Sequence, residues 1–312
     1  EEVLKENTVQ VQSTDTYTEG DYTYTVADGV ATITKYTGTA TTLTIPETLG
    51  GYALQGIGRY AFQYYKNLQY VLFPDSITKI DWYAFDGCSN LKSVTLPKKL
   101  EILGNGAFRD CDKITTINIP KSLKEASWPF QGCDKLVNIQ FEEGTTKVIA
   151  SLFSGCTGLT SIVLPDTITE IEKSAFNGCK NLQTVYLPDG ITTIGWFAFE
   201  DCDNLRDISL PEKLTTIGHM AFSRCNNLSS INIPKNLNNV ILPFYQCENL
   251  KDIKFEEGVT KVVASLFSGC TGLTSIVLPD TITEIEGSAF RSCRKLQTVR
   301  LPDGVTTIGR FA

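Results

Sequence analysis

The sequence predicts a β-rich solenoid, a right-handed superhelix of short stacked coils. Three observations predict it: a period of 22–23 residues, an apolar strand pattern within each period, and a hairpin signature ahead of the first. The cysteines carry the period. All ten, Cys88, Cys111, Cys133, Cys156, Cys179, Cys202, Cys225, Cys247, Cys270 and Cys293, follow one another at 22 or 23 residues. A Phe lies three residues before each, from Phe85 to Phe290, and Leu or Ile lies three residues after. An earlier unit has Phe62 and Leu68 with Tyr65 at the Cys place, which makes eleven units. A fixed period of this length means supersecondary units that bury their apolar edges only by stacking.

Taken in order, residues 1–20 are a Thr/Ser/Glu-rich N-terminal segment. Residues 21–39 predict a β-hairpin cap, in which Tyr22 to Ile33 run through an Asp28-Gly29 turn. Residues 40–312 are the repeat array, opening with a degenerate strand at Leu43-Thr44-Ile45-Pro46. In the unit Ala175 to Gly195, Leu182, Val185 and Leu187 fit the L-x-x-L-x-L strand of leucine-rich repeats. Pro188 ends that strand because it has no N–H to give a ladder. Ile191 and Ile194 return the chain to the core, and Ala-Phe-x-x-Cys makes the outer turn. The fold expected is a leucine-rich-repeat solenoid of the α/β kind. It has a parallel concave strand ladder and short 3₁₀ or helical convex turns. Stacking sets equivalent residues in columns about 4.8 Å apart, with the Phe column as a ladder of rings. A second period overlies the first. Residues 150–172 and 264–286 are identical, and Phe141-Glu142-Glu143-Gly144 recurs as Phe255 to Gly258, so a five-unit block was duplicated. The two 22-residue units carry Pro129 and Pro243 before Phe in place of Ala. Ile308 to Ala312 stop partway through a twelfth unit, from which the natural chain is expected to continue.

The motif Ile-Gly-x-x-Ala-Phe-x-x-Cys-x-x-Leu-x-x-Ile-x-Leu-Pro is almost complete at Ile194–Pro211 and Ile217–Pro234. It resembles the BspA-like leucine-rich repeats of bacterial surface proteins, over about residue 40 to the C-terminus. The segment 22–38 is similar to the strand pair often found ahead of such arrays. The resemblance implies a secreted or surface-attached protein; the N-terminus, without a signal-peptide pattern, reads as cytosolic or as one from which a signal peptide has been removed. The resemblance also implies a non-enzymatic module whose partner is an extracellular protein, of the host matrix or of another bacterium. The family has no shared catalytic residues to carry over.

Composition excludes other classes. The 35 acidic against 28 basic side chains, with no Lys/Arg block, make nucleic acid and anionic membranes poor partners. No apolar run reaches the roughly 18 residues of a spanning helix. The cysteines read as buried thiols, since their side chains run parallel into the core and no C-x-x-C pair or partner His suggests a metal. No cofactor is expected. His219, the one histidine, lacks a nucleophile and an orienting acid in the repeat register and reads as a surface residue. The acidic column Glu143, Asp166, Asp189 and Glu212 reads as calcium ligands or as a solvated rim. Lys98, Lys121 and Lys235 in the same column favour the rim.

Ligand-facing residues should be the third and fifth of each L-x-x-L-x-L. Because binding hot spots favour Tyr, Trp and Arg, Tyr70, Tyr186 and Arg300 are the leading candidates. Asp207, Asp252 and Lys254 are charged companions on the same concave face. Trp82, Trp128 and Trp196 are alternatives near the convex turns. The concave face is otherwise rich in Ser and Thr, so a plain soluble surface, a spacer and a carbohydrate-binding module stand as alternatives to protein binding. Oligomeric state is left open.

Overall fold

The computed structural model describes residues 15–312. The N-terminal segment before Asp15 lies outside the described residues. The cap is an antiparallel meander of β1 (Thr16–Glu19), β2 (Tyr22–Ala27) and β3 (Val30–Tyr36). Its β2–β3 turn falls at Asp28-Gly29, where φ is +51° and +78°, as a two-residue hairpin requires. The sequence signalled the hairpin; β1 adds a third strand to it. The cap seals the core by placing the Tyr36 ring 5.4 Å from that of Phe62, the first of the Phe column.

Behind the cap the chain winds into coils with two parallel ladders. One ladder runs Thr42–Thr44, Tyr70–Leu72, Ser93–Val94, Thr116–Ile119, Asn138–Phe141, and resumes at Ser161–Val163 and Thr184–Tyr186. Pairing is offset by one coil, as in Ser161↔Thr184 and Val163↔Tyr186. The second ladder starts where β3 pairs with Tyr52–Ile57 and continues through Lys79–Ile80 and Ile102–Leu103. Its strands were not anticipated: beyond Tyr52–Ile57 they are two residues long, too few to show an alternating pattern. The residues expected only to return the chain to the core, such as Ile194, form it.

Between the ladders lies a continuous core. Phe62 through Phe290 are buried, and their rings stack with centroids 4.7–6.4 Å apart. Each buried side chain of this size contributes roughly 1.5–3 kcal/mol. All ten cysteines are free and buried. Nine of the thiols donate to the Phe carbonyl of the preceding coil, as Cys111 Sγ does to Phe85 O at 3.2 Å. Cys therefore serves as a small apolar side chain that still carries a donor.

The expectation of helical convex turns, and with it the α/β description, is corrected: the described residues contain no helix. The reason lies in where the N–H groups point. Ala84, Asp86 and Cys88 bond back three residues, to Asp81, Tyr83 and Phe85. The alternate residues Tyr83, Phe85 and Gly87 instead donate to Asn105, Ala107 and Arg109 of the next coil, at 2.7–2.8 Å. A helix would turn every N–H along its own axis. Tyr83 and Gly87 take φ of +55° and +68°, and the same two places are left-handed in coil after coil. The convex wall is thus a third inter-coil hydrogen-bonded surface.

The two 22-residue coils disturb the stack. The Phe130–Phe153 and Phe244–Phe267 centroids separate to 6.4 and 6.3 Å, against 5.2 Å for Phe176–Phe199. Both ladders are interrupted just after these coils. Phe141 and Phe255, standing where most coils have Leu or Ile, turn edge-on to Phe153 and Phe267, as Phe73 does to Phe85 at the first coils.

Candidate binding face

The pleat of the first ladder decides what faces solvent. In Tyr70–Leu72 and Ser161–Val163 the middle residue is buried and its neighbours are exposed, so third and fifth positions point outward as the alternation requires. Large apolar side chains stand on this face without cover: Val163 is 69% exposed, Val277 63% and Tyr186 58%.

The six sequence candidates fall in separate places. Tyr186 and Asp207 are neighbours on adjacent strands, in the register Thr184↔Asp207. They border an open depression of about 400 Å³ with Thr184, Arg206, Ser209 and Ser230. Asp252 and Lys254 share one strand and pair with each other at 3.8 Å. Tyr70 stands several coils away with the Lys92 ammonium over its ring at 5.5 Å. Arg300 pairs in register with Val277 in the last strand of the ladder. The depression brings in Arg206, which the sequence reading passed over. Its signal was its place immediately before Asp207, at the edge of the same outward-facing columns.

Two other residues of the face are committed to the fold. Asn118 Oδ1 accepts from the Leu96 N–H at 2.7 Å while its Nδ2 donates to the Leu96 carbonyl at 3.1 Å. Asn232 does the same for Leu210, both at 2.7 Å. The strands they serve, Ser93–Val94 and Asp207–Ile208, are only two residues long, and the amide side chain continues the ladder where the backbone leaves it. Replacing Asn232 by Ala orphans the main-chain N–H and C=O of a buried residue. It is expected to cost about 1–3 kcal/mol, measured as a lowered urea midpoint. An unchanged midpoint would mean that water replaces both bonds.

Two of the convex tryptophans, Trp82 and Trp196, are less available than their exposure suggests. The Arg59 guanidinium covers one face of Trp82 at 4.1 Å. Gly104 of the next coil lies so close that a Cβ there would sit 2.9 Å from Trp82 Cδ1. Trp196 meets Gly218 in the same way and packs against His219, which is half-buried between Trp196 and Phe197. On the rim, Glu212 is ion-paired with Lys235 and Glu142 with Lys121. Among the described residues no helix is long and apolar enough to cross a membrane.

The convex wall carries a buried carboxylate. The Asp86 carboxylate is fully buried and accepts from Gln63 Nε2 at 2.9 Å and Arg109 Nε at 2.8 Å. Five coils on, Arg224 bonds Asp201 and Glu200. The hydrogen bond from Arg224 lowers the Asp201 pKa, while burial raises that of Glu200.

Comparison with known proteins agrees with this architecture. The family described as the BspA type leucine rich repeat region matches in six copies, over residues 55–157, 127–241 and 243–312. A leucine-rich repeat protein from Bacteroides ovatus is similar in structure, with a TM-score of 0.67 and 26% identity over 94% of this chain and 90% of that one. A leucine rich cell surface protein from Faecalibacterium prausnitzii is 30% identical over 96% of both chains, with a TM-score of 0.52. A leucine-rich repeat protein from Eubacterium ventriosum, 21% identical over 95% of this chain and 93% of that one, shares the fold at a TM-score of 0.50. The comparison with curated proteins gave no match. With the coils, the two ladders and the Phe and Cys columns in place, the chain belongs to the BspA-type leucine-rich repeat family.

Proposed function

We propose that the chain is a non-enzymatic recognition module of a secreted or cell-surface bacterial protein, and that it binds an extracellular protein through its concave face. The observation that carries this reading is the exposed trio Val163, Tyr186 and Val277. Large apolar side chains on a rigid, otherwise hydroxylated ladder stabilise nothing within the fold, whereas covering them would remove apolar surface from water. Tyr70, Tyr186 and Arg300 are the anchors. Asp207, Asp252 and Lys254 supply charge at their margins, where such groups set partner choice and association rate more than affinity. The cell-surface relative from Faecalibacterium prausnitzii supports the location.

The test is binding of the purified chain to immobilised matrix proteins and mucins. The variant Tyr70→Ala/Tyr186→Ala/Arg300→Ala runs beside it, with a melting curve to show that it folds. Saturable binding that weakens at least tenfold in the variant is expected, the size of one good hot spot. Binding to none of the panel would sink the reading and leave the solenoid as a spacer. Binding that the variant keeps would move the partner to another face.

A further inference from the structure

We propose that the depression beside Tyr186 is a sugar subsite, taking one or two rings of a neutral glycan carried by the partner. The inference rests on the concave face being a recognition surface and names what is recognised there.

The case begins with unspent side chains. Tyr186 has no aromatic, cationic or hydrogen-bonding partner among the described residues, whereas Tyr70 already holds Lys92. Around Tyr186 stand the Thr184, Ser209 and Ser230 hydroxyls, the Asp207 carboxylate and the Arg206 guanidinium. Among the described residues none of these five makes a side-chain hydrogen bond or ion pair, although Arg206 and Asp207 are adjacent in sequence. Several other polar groups of the face and its rim are occupied: Asn118 and Asn232 by backbone, Asp252 by Lys254, Glu142 by Lys121. This depression therefore joins unspent donors and acceptors to an uncovered aromatic wall.

The chemistry selects the ligand. Hydroxyls that donate and accept, beside a carboxylate that only accepts and a guanidinium that only donates, complement a rim of sugar hydroxyls. The Tyr186 ring matches the C–H face of a pyranose. One anion and one cation leave the site without net charge, which favours a neutral sugar. A volume of about 400 Å³ lies in the range of small-ligand sites. A peptide added as a strand is disfavoured here, because Thr184–Tyr186 is already paired on both sides, with Ser161–Val163 and Asp207–Ile208.

The experiment is saturation-transfer NMR on the full chain with methyl glycosides of glucose, galactose, mannose, N-acetylglucosamine and fucose. Tyr186→Ala, Tyr186→Phe and Asp207→Asn are compared with the parent, each checked for folding by its melting curve. At least one glycoside is expected to receive saturation on the C–H protons of one ring face. The signal should weaken at least tenfold in Tyr186→Ala and Asp207→Asn and persist in Tyr186→Phe. No transfer to any glycoside, or transfer that Tyr186→Ala leaves unchanged, would overturn the proposal. A second arm compares matrix glycoproteins before and after enzymatic removal of their glycans. Equal binding after removal rejects the sugar subsite and leaves a concave-face peptide partner standing. Binding in neither state rejects the recognition reading itself.

Discussion

Raising the pH above 9 is expected to unfold the protein over little more than one pH unit, through its cysteines. Burial raises every one of the ten thiol pKa values above their ordinary 9.0; Cys88, Cys133, Cys179 and Cys270 are pushed up to about 12 and Cys293 to about 11. In the unfolded chain the thiols ionise near their ordinary value, so above it the folded state holds more protons than the unfolded one. Stability from this source is complete below pH 9 and falls as pH rises toward the folded-state values. Each thiol loses about 1.4 kcal/mol per pH unit in that window. Ten together lose on the order of 10 kcal/mol one unit above the onset, comparable with the whole stability of a domain. Circular dichroism against pH should show a steep loss near pH 10, with thiol reagents reacting in step with unfolding. A triple variant, Cys179→Ala/Cys202→Ala/Cys225→Ala, should flatten the slope by about three protons' worth. An unaltered slope would assign the transition to other groups.

Arg109→Ala is expected to destabilise the protein by about 3–5 kcal/mol, far more than a surface ion pair is worth. The asymmetry of the pair is the reason. Arg109 is 34% exposed, so its attraction to Asp86 is partly screened, but the Asp86 carboxylate has no exposure at all. Without Arg109 that carboxylate keeps only Gln63 as a side-chain donor, and an uncompensated charge remains in the wall. Adding Asp86→Asn to Arg109→Ala should recover most of the loss, since the neutral amide is cheaper to bury. Urea unfolding of the two single variants and the double variant decides it. A single-variant loss below about 1 kcal/mol would show that water reaches Asp86.

Much of the fold could be read directly from the columns. Phe, Cys and Leu at fixed spacing dictate one coil per unit, and strand alternation puts Tyr70, Tyr186 and Asp207 on the outer face. The convex wall could not be read this way. Its left-handed positions carry Tyr60, Phe197, Met220 and Leu242 as well as glycines, so no residue type marks them. The conformation is imposed there by hydrogen bonds to a coil 22 or 23 residues away. The same distance hid the role of Asn232. Whether a polar residue on the face is spent on the backbone or free for a ligand, like Ser209, depends on its neighbour in the next coil.

The splayed coils at Phe130 and Phe244 divide the solenoid along its length. Where both ladders lapse and the rings stand farthest apart, the least contact resists separation, so tension along the axis would part the molecule there first. The two seams lie five coils apart, which is also the length of the duplicated block. The unit that was copied in the gene and the unit that would yield together under load therefore have the same length. Lengthening such a protein by further duplication would add links of equal strength to a chain, without creating a weaker joint.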